Sequence, residues 1–251
     1  MTIELFEELN WAWIGIALII FLVLLFITAP YGRHIKPGWG PLFGNRFGWI
    51  MMEISVLFVI YYFVLTGNLE QSFVNWIILS LFTFHYLNRS LIFPFRIKTK
   101  GKKMPASIVL MGITFNLASG FFIGYYLGNF RSYELAWMLT PEFIIGTIVF
   151  FTGLIINWQS DTILINLRMP GETGYKIPYG KLFKYVSSPN LLGETIEWGG
   201  FAILTWSLPG LAFFIWTVAN LVPRAIANQK WYKKKFADYP AERKAILPYL
   251  L

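Results

Sequence analysis

The chain contains no cysteine, two histidines and few charged residues. Without cysteine it has no disulfide, no thiolate nucleophile and no Cys-ligated zinc or iron–sulfur site. His34 and His85 lack a metal-binding spacing, so we expect no bound metal. Charged residues make up 14% of the 251 residues and hydrophobic residues 56%, whereas a soluble domain carries about 25% charged residues. This deficit predicts that much of the surface faces lipid.

The first apolar run covers residues 11–29 and carries no charge. It is long enough to cross a hydrocarbon core of about 30 Å as a helix that rises about 1.5 Å per residue. The residues before it include Glu4, Glu7 and Glu8 but no basic side chain, unlike a signal peptide. We therefore interpret the run as a spanning helix. Further apolar runs cover residues 47–66, 73–95, 105–128, 141–158, 191–208 and 209–223.

Lysine and arginine are unevenly distributed among the polar joints between these runs. They concentrate in residues 31–46, 96–104, 160–189 and 224–251. In the joints at 67–71 and 129–140, the single basic residue is Arg131. The positive-inside rule therefore places the N-terminus outside and the C-terminus inside. With an outer turn at Pro209-Gly210, this predicts an all-α, polytopic bundle of seven transmembrane helices. We assign the net charge of +8 to contacts with anionic headgroups, because no nucleic-acid-binding motif is present.

Several polar side chains lie within the apolar runs or at their ends: Glu53, His85, Tyr86, Arg89, Asn116, Asn157 and Asp161. A charge at the bilayer centre costs about 2.5–3.5 kcal/mol. An isolated Asn or Tyr is usually explained by hydrogen bonds between helices, but four such groups on two neighbouring helices favour a site. His85 and Tyr86 precede Arg89 by four and three residues and share its helix face. Together with the Glu53 carboxyl group, the Tyr86 phenol and the Arg89 guanidinium could polarise a carbonyl group and supply a proton.

The segment from 157 to 198 is richer in polar residues than the rest of the chain. The dipeptides Pro170-Gly171 and Ile177-Pro178 predict turns in it. Helical spacing would place Asp161 and Arg168 on one face. Arg168 with Lys176 could bind phosphate, since an arginine forms bidentate hydrogen bonds with it. A solvated juxtamembrane helix is the alternative interpretation. The segment contains no dinucleotide-binding glycine motif and no P-loop, so a nucleotide bound here would not lie in a Rossmann fold.

The order and spacing of motifs from residue 157 to the tail resemble those of the steroid 5α-reductase (3-oxo-5α-steroid 4-dehydrogenase) family. The matching motifs are LRMPGE at 167–172, YKIP at 175–178, GKLFKYVS at 180–187, NLLGETIEW at 190–198 and the WYKKKFADYPAERKAILP tail at 231–248. Shorter matches occur at YGRH (31–34), WIMME (49–53), HYLNRS (85–90) and GYYLG (124–128). This family implies a seven-helix membrane fold that uses NADPH to reduce the Δ4 double bond of 3-oxo-Δ4-steroids.

The resemblance also implies roles for particular residues. Glu53 and Tyr86 match the pair that contacts the substrate 3-oxo group, and Trp49, Met52 and Arg89 are expected to bind substrate. The expected NADPH-binding residues are Tyr31, Arg33, Asn157, Asp161, Arg168, Tyr175, Lys176, Asn190, Glu194, Asn228 and Tyr232. Met52 stands where the family often has Gln, and Asn228 where mammalian members have His. We expect one domain over 1–251, with substrate-side helices in 1–128 and an NADPH-binding region in 141–251.

Other functions remain open from the sequence. The protein could reduce another enone or an enoyl lipid, such as an enoyl thioester or a polyprenyl chain. A membrane methyltransferase related to the isoprenylcysteine enzymes is disfavoured, because methyl transfer needs no carbonyl-polarising pair. A channel or lipid-binding scaffold is disfavoured because the densest polar pattern is interfacial. We expect no nucleic-acid or obligate protein partner, and a location in a bacterial cytoplasmic membrane or an endoplasmic reticulum.

Overall fold

The structure is a computed structural model that describes residues 1–36, 38–98, 101–169, 172 and 174–251. Its α-helices are α1 (Ile3–Phe26), α2 (Asn45–Leu65), α3 (Phe73–Leu87), α4 (Phe93–Arg96), α5 (Ala106–Asn129), α6 (Pro141–Asn166), α7 (Pro189–Thr205) and α8 (Leu208–Lys235). Short 3-10 turns lie at Gly32–His34, Leu135–Leu139 and Lys181–Lys184. Strands β1 (Leu42–Gly44) and β2 (Lys103–Pro105) form an antiparallel pair, with Leu42 opposite Pro105. The turn predicted at Pro170-Gly171 lies outside the described residues.

Five helices in the described part of the chain are long and apolar enough to cross a membrane. They are α1, α2, α5, α6 and α8. Large apolar side chains on these helices are exposed, for example Ile19 at 62% and Phe58 at 70%. Contiguous apolar surface of this kind is costly in water and is normal in contact with lipid. The architecture is therefore helical and that of a multi-pass membrane protein.

Three helices extend beyond the apolar runs that predicted them. Helix α1 begins at Ile3 rather than at residue 11, α6 continues to Asn166, and α8 continues to Lys235. An apolar run marks only the part of a helix that lipid or core surrounds, and polar residues can continue the same helix outside that zone. The prediction that Asp161 and Arg168 share a helix face is wrong, because α6 ends before Arg168.

The helical segment from Phe73 to Arg96 contains a π-helical turn at Asn88–Ile92. Pro94, the second residue of α4, lies two residues after the end of this π turn. Proline cannot donate the hydrogen bond that a continuing α-helix requires, and a wider turn accommodates the missing bond without ending the helix. Arg89 therefore lies in a π turn, whereas the shared helix face predicted for it with His85 and Tyr86 assumed a regular α-helix.

Helices α7 and α8 are separated by a break at Trp206 and Ser207, three residues before the predicted turn. Trp206 adopts a left-handed conformation with φ of 42° and ends α7. Ser207 caps α8, and its Oγ accepts a hydrogen bond from the Gly210 N–H at 3.2 Å. The predicted turn at Pro209-Gly210 is wrong because both residues lie in the first turn of α8, where proline is compatible with a helix.

The chain divides into two compact units. The first comprises Met1–Asn10 and Ala29–Ile144, and the second comprises Trp11–Thr28 and Ile145–Leu251. In the first unit, α5 carries three glycines at four-residue spacing that face the main chain of α2, Gly120, Gly124 and Gly128, and Gly112 on the same face contacts the Met52 side chain. A Cβ atom at Gly124 would lie 2.7 Å from the carbonyl oxygen of Ile60. The absence of side chains at these positions lets the two helices pack closely.

In the second unit, glycines on both α6 and α7 bring these two helices together. A Cβ atom at Gly193 would lie 2.4 Å from the amide nitrogen of Asn157, and one at Gly153 would lie 2.2 Å from that of Glu197. Backbone atoms cannot move aside as a flexible side chain can. The close approach of α6 and α7 therefore requires glycine at these positions.

We expect Gly193→Ala to destabilise the protein by at least about 2 kcal/mol, because the methyl group overpacks a backbone contact. At this chain length, the change lowers Tm by about 4 °C or more. The measurement is thermal unfolding in detergent. Gly15→Ala is the matched control, since no atom lies within 4 Å of a Cβ built there, and better helix propensity should leave its Tm unchanged or higher. Equal melting temperatures for Gly193→Ala and the wild type would contradict the packing described.

Candidate active site

Tyr86 lies near the end of α3, in the first unit, and only 4% of its side chain is exposed. The ring of Phe82 stacks on it at a centroid distance of 4.8 Å, and His85 contacts it in a T-shaped arrangement at 5.2 Å. Ser90 Oγ donates a hydrogen bond to the Tyr86 carbonyl oxygen at 2.6 Å. Packing on two sides limits the rotamers open to the ring. The position of the phenol is therefore well defined.

Asn116 on α5 connects Tyr86 to α2. The Tyr86 hydroxyl donates to Asn116 Oδ1 at 3.2 Å, and Asn116 Nδ2 donates to the main-chain carbonyl of Met52 at 2.7 Å. Glu53 follows Met52 directly in α2 and is half-buried. One buried amide therefore joins the phenol to the helical turn that carries the predicted catalytic carboxyl group.

Trp49 and Arg89 contact each other. The indole Nε1 of Trp49 donates to the Arg89 carbonyl oxygen at 3.1 Å. The Arg89 guanidinium lies 4.9 Å from the Trp49 ring centroid and 4.6 Å from that of Phe93. Such cation–π contacts stabilise a charged group in apolar surroundings. Two of the predicted substrate-binding residues are thus adjacent.

Met52 is buried in an apolar cluster with Met104, Ile108 and Val109. Tyr31 and Trp49 pack against this cluster. Tyr31, predicted to contact the cofactor, therefore packs against the same apolar cluster as two residues predicted to bind substrate. Arg33 is half-buried in the 3-10 turn Gly32–His34.

Most of the predicted cofactor residues belong to the second unit. Asn157 and Asp161 lie one turn apart on α6 and are buried, with 1% and 6% exposed. Asn157 Nδ2 donates to the Asn190 carbonyl oxygen at 3.0 Å, and Asn190 Nδ2 donates to Asp161 Oδ1 at 3.1 Å. Asn190 is in the first turn of α7. Residues far apart in the sequence thus form one hydrogen-bonded cluster.

The buried Asn157 Oδ1 accepts no hydrogen bond from any residue that the structure describes. A buried acceptor without a donor costs about 1–3 kcal/mol. The carboxamide and ribose hydroxyl groups of NADPH are donors of the kind that would satisfy this atom, and Asp161 beside it is a further acceptor. The residues present therefore fit a nicotinamide nucleotide.

Two more predicted cofactor residues lie close to this cluster. Asn228 on α8 donates from Nδ2 to Ser188 Oγ at 3.2 Å, and Ser188 immediately precedes α7. Glu194 is half-buried on α7, one turn after Asn190. The first turns of α7 are therefore surrounded by polar groups from both α6 and α8.

The predicted phosphate-binding residues lie between α6 and the Lys181–Lys184 turn. The Arg168 guanidinium is 5.9 Å from the Tyr175 ring centroid. Lys176 Nζ forms a salt bridge with Glu172 at 2.6 Å, with side chains 48% and 38% exposed. Exposed pairs of this kind contribute little to stability, so exchange of the Glu172 carboxylate for a phosphate group costs little.

Tyr232, also predicted to contact the cofactor, is buried on α8 and stacks on Tyr239 with centroids 5.2 Å apart. The Tyr239 hydroxyl donates to Ser187 Oγ at 2.7 Å. Burial raises the pKa of Tyr239, against the opposing effects of the Ser187 hydrogen bond and the Arg243 charge. The phenol therefore stays protonated, and this hydrogen bond persists at neutral pH.

Arg243 has a structural role that the sequence did not indicate. Only 2% of it is exposed, and its Nη1 donates to the Pro178 carbonyl oxygen at 3.0 Å. The guanidinium also lies over the rings of Tyr179 and Tyr239, at 5.3 and 5.0 Å. It thereby fixes the YKIP segment that carries Tyr175 and Lys176. In the sequence it is one cation of a basic tail, and nothing there distinguishes it as buried.

Comparison with known proteins gives the family. A family model described as 3-oxo-5-alpha-steroid 4-dehydrogenase matches residues 102–251. The chain is 38% identical over 243 residues to "Steroid 5-alpha-reductase DET2" of Gossypium hirsutum, covering 94% of this chain and 93% of that protein. It is 36% identical over 251 residues to "3-oxo-5-alpha-steroid 4-dehydrogenase 1" of Bos taurus, covering 98% and 97%. The protein of that name from Homo sapiens is 40% identical over 225 residues, covering 89% and 86%.

With these matches, the protein is an oxidoreductase that acts on a CH–CH group and is embedded in a membrane by several apolar helices. More narrowly, the chain belongs to the 3-oxo-5-alpha-steroid 4-dehydrogenase family. The family predicted from the motifs is confirmed.

Proposed function

We propose that this enzyme reduces the Δ4 double bond of 3-oxo-Δ4-steroids with NADPH as the reductant. The observation that carries the proposal is similarity along nearly the whole chain to enzymes named for this reaction. The buried phenol of Tyr86, linked through Asn116 to the α2 turn that carries Glu53, supports it independently. Such a pair suits a substrate whose one polar end is a ketone.

NADPH, when bound, supplies a hydride that adds to C5, the β-carbon of the enone. Its polar groups would be held by the cluster of Asn157, Asp161 and Asn190, and its phosphates by Arg168 and Lys176. The other proposed cofactor contacts are Tyr31, Arg33, Tyr175, Glu194, Asn228 and Tyr232. The Asn157 acceptor supports this assignment because it needs a donor that the described residues do not provide.

On the substrate side, we assign Tyr86 and Glu53 to the 3-oxo group. As C5 gains hydride, the electron pair of the double bond moves toward the 3-oxygen, which becomes an enolate oxygen. A hydrogen bond from Tyr86, supported by Glu53, stabilises that developing charge. C4 then takes a proton that comes ultimately from solvent, so one hydride and one proton together saturate the bond. Trp49, Met52 and Arg89 would line the substrate.

The proposal is tested with purified protein in detergent, a 3-oxo-Δ4-steroid and NADPH. We expect formation of the 4,5-dihydro-3-oxosteroid with stoichiometric NADPH oxidation, and stabilisation against heat by NADPH. Stabilisation by S-adenosylmethionine instead would indicate a methyltransferase. If NADPH binds but no 3-oxo-Δ4-steroid is reduced, while an enoyl thioester or polyprenyl enone is, the enzyme acts on another lipid.

For the membrane topology, we propose seven crossings with the N-terminus outside and the C-terminus inside. The helical segment from Phe73 to Arg96 and helix α7 would add two crossings to the five long apolar helices. The excess of Lys and Arg in alternate joints motivates the orientation. We expect a reporter fused after Leu251 to have cytoplasmic activity. Periplasmic or lumenal activity of that fusion would contradict the orientation.

A further inference from the structure

Asn116 occupies an unusual position on α5. It lies in the same four-residue series as the glycines that let α5 pack against α2: Gly112, Gly120, Gly124 and Gly128. At Gly120, Gly124 and Gly128 the helix faces main-chain atoms of α2, and at Gly112 it faces the Met52 side chain. At residue 116 the same face carries a polar amide that is 4% exposed. A buried amide in an apolar interface is costly unless its hydrogen bonds are made, so its partners indicate its role.

The hydrogen bonds of Asn116 define which way its amide points. The main-chain carbonyl of Met52 can only accept, so the group 2.7 Å from it is the Nδ2 donor. Oδ1 therefore faces Tyr86, and at 3.2 Å the Tyr86 hydroxyl is the donor of that bond. The phenolic hydrogen of Tyr86 is thus directed at Asn116.

We infer that Asn116 is a positioning residue for the reduction, acting through Tyr86. It fixes the phenol oxygen relative to the α2 turn that carries Glu53. It also accepts the phenolic hydrogen until a substrate oxygen replaces it. The Tyr86 ring is held by Phe82 and His85, so the hydroxyl hydrogen can turn from Asn116 to the substrate while the oxygen stays in place.

This inference rests on the proposed function, because it assigns Asn116 to the carbonyl-polarising group of that reaction. The other explanation is that Asn116 only ties helices together, as buried amides in membrane proteins commonly do. The two explanations differ in one respect. A residue that acts through Tyr86 loses its effect on turnover once the Tyr86 hydroxyl is removed, whereas a helix tie does not.

The test is a double-mutant cycle of Asn116→Leu and Tyr86→Phe, with turnover of a 3-oxo-Δ4-steroid measured by single-turnover mass spectrometry. We expect Asn116→Leu alone to lower turnover about 10-fold, with KM for the steroid changed less than about 3-fold, because the phenol contributes most when charge develops. In the Tyr86→Phe background, the same substitution should cost less than about 2-fold. Equal losses in both backgrounds, or no loss in the single variant, would overturn the inference.

Two further variants separate positioning from stability. Asn116→Asp keeps an oxygen that accepts from Tyr86 but loses the amide donor to the Met52 carbonyl, so its turnover should lie between that of Asn116→Leu and that of the wild type; turnover as low as that of Asn116→Leu contradicts the inference. Asn75→Leu is the matched control, because Asn75 is a fully buried amide on α3 that bonds to Gln71, Arg131 and Tyr133. It should lower Tm and leave turnover per folded molecule unchanged; a loss as large as that of Asn116→Leu shows a general packing effect and contradicts the inference.

The same proteins distinguish failure of this inference from failure of the proposed function. A wild type that reduces no 3-oxo-Δ4-steroid overturns the proposed function. The placement of Tyr86 by Asn116 is then decided by the melting temperatures of the four proteins in the cycle. If the double variant loses less Tm than the sum of the losses in the two single variants, the hydrogen bond between Asn116 and Tyr86 is supported. If the losses in Tm are additive, the hydrogen bond is contradicted.

Discussion

Tyr86→Phe should lower turnover of a 3-oxo-Δ4-steroid by about 100-fold or more, with a smaller effect on KM. The variant keeps the ring that Phe82 and His85 hold, so the fold should survive. It removes the hydroxyl that would stabilise the enolate oxygen, and that contribution is largest in the transition state. The measurement is kcat and KM with NADPH at saturation.

Tyr61→Phe is a matched control for this variant. Tyr61, on α2, shares a hydrogen bond of 2.9 Å with Thr83 Oγ1 on α3. Its loss also removes one phenol hydroxyl from an interhelical hydrogen bond, and turnover should remain within about 2-fold of the wild type. Near wild-type turnover in Tyr86→Phe would show that another group polarises the substrate carbonyl.

Turnover in Glu53 variants should depend on which chemical groups of the glutamate side chain each variant keeps. Glu53→Gln keeps the side-chain shape and a hydrogen-bond donor, so its turnover should exceed that of Glu53→Ala. If Glu53 acts only by support of Tyr86, Glu53→Ala in a Tyr86→Phe background should add little further loss. An equal additional loss would show that the carboxyl group contacts substrate on its own.

Arg168→Ala should raise the KM for NADPH and reduce the preference for NADPH over NADH, each by about 10-fold or more. The physical reason is that loss of a charged partner to a phosphate costs a few kcal/mol. Arg168→Lys should show an intermediate effect, because it keeps the charge and loses the bidentate fork. Initial rates with both cofactors measure the change.

Lys184→Ala is the control for Arg168→Ala, since Lys184 Nζ also lies over an aromatic ring, that of Tyr185 at 5.6 Å. It removes one cation from the same unit, and both cofactor constants should stay within about 2-fold. An unchanged NADPH/NADH ratio in Arg168→Ala would remove Arg168 from the phosphate-binding set.

The apolar pattern predicts the membrane helices well where lipid or core surrounds a whole helix. Helices α2 and α5 begin and end within two residues of the predicted runs. Helices α1, α6 and α8 are longer, because polar residues continue each helix beyond the zone that lipid or core surrounds. The π turn at Asn88–Ile92 depends on how the chain accommodates Pro94, which periodicity alone could not reveal.

Contacts among the predicted site residues could be anticipated from the sequence only in part. Asn157, Asp161 and Asn190 were predicted as one set and form one hydrogen-bonded cluster. Their convergence depends on the close approach of α6 and α7, which the glycines permit. The pairing of Lys176 with Glu172 was not predicted, because it depends on the conformation of the loop between them.

The hydrogen-bond partners of Asn116 could not be predicted from the sequence. The sequence shows an amide in an apolar run, for which a hydrogen bond between helices is the simplest interpretation. Its partners follow from the glycine series that turns this face of α5 toward α2. The four-residue spacing of Gly112, Asn116 and Gly120 is visible in the sequence, but the identity of the facing residues Met52 and Tyr86 is not.

The central claim, reduction of the Δ4 bond by hydride from NADPH, is tested most directly with cofactor that carries deuterium at both C4 positions. Purified wild-type protein should convert a 3-oxo-Δ4-steroid to a saturated ketone that contains one deuterium, located at C5 by mass spectrometry and NMR. The C4 hydrogen should come from solvent. Deuterium at C3 with an intact double bond would show carbonyl reduction instead, and a product without deuterium would contradict the proposed source of the hydride.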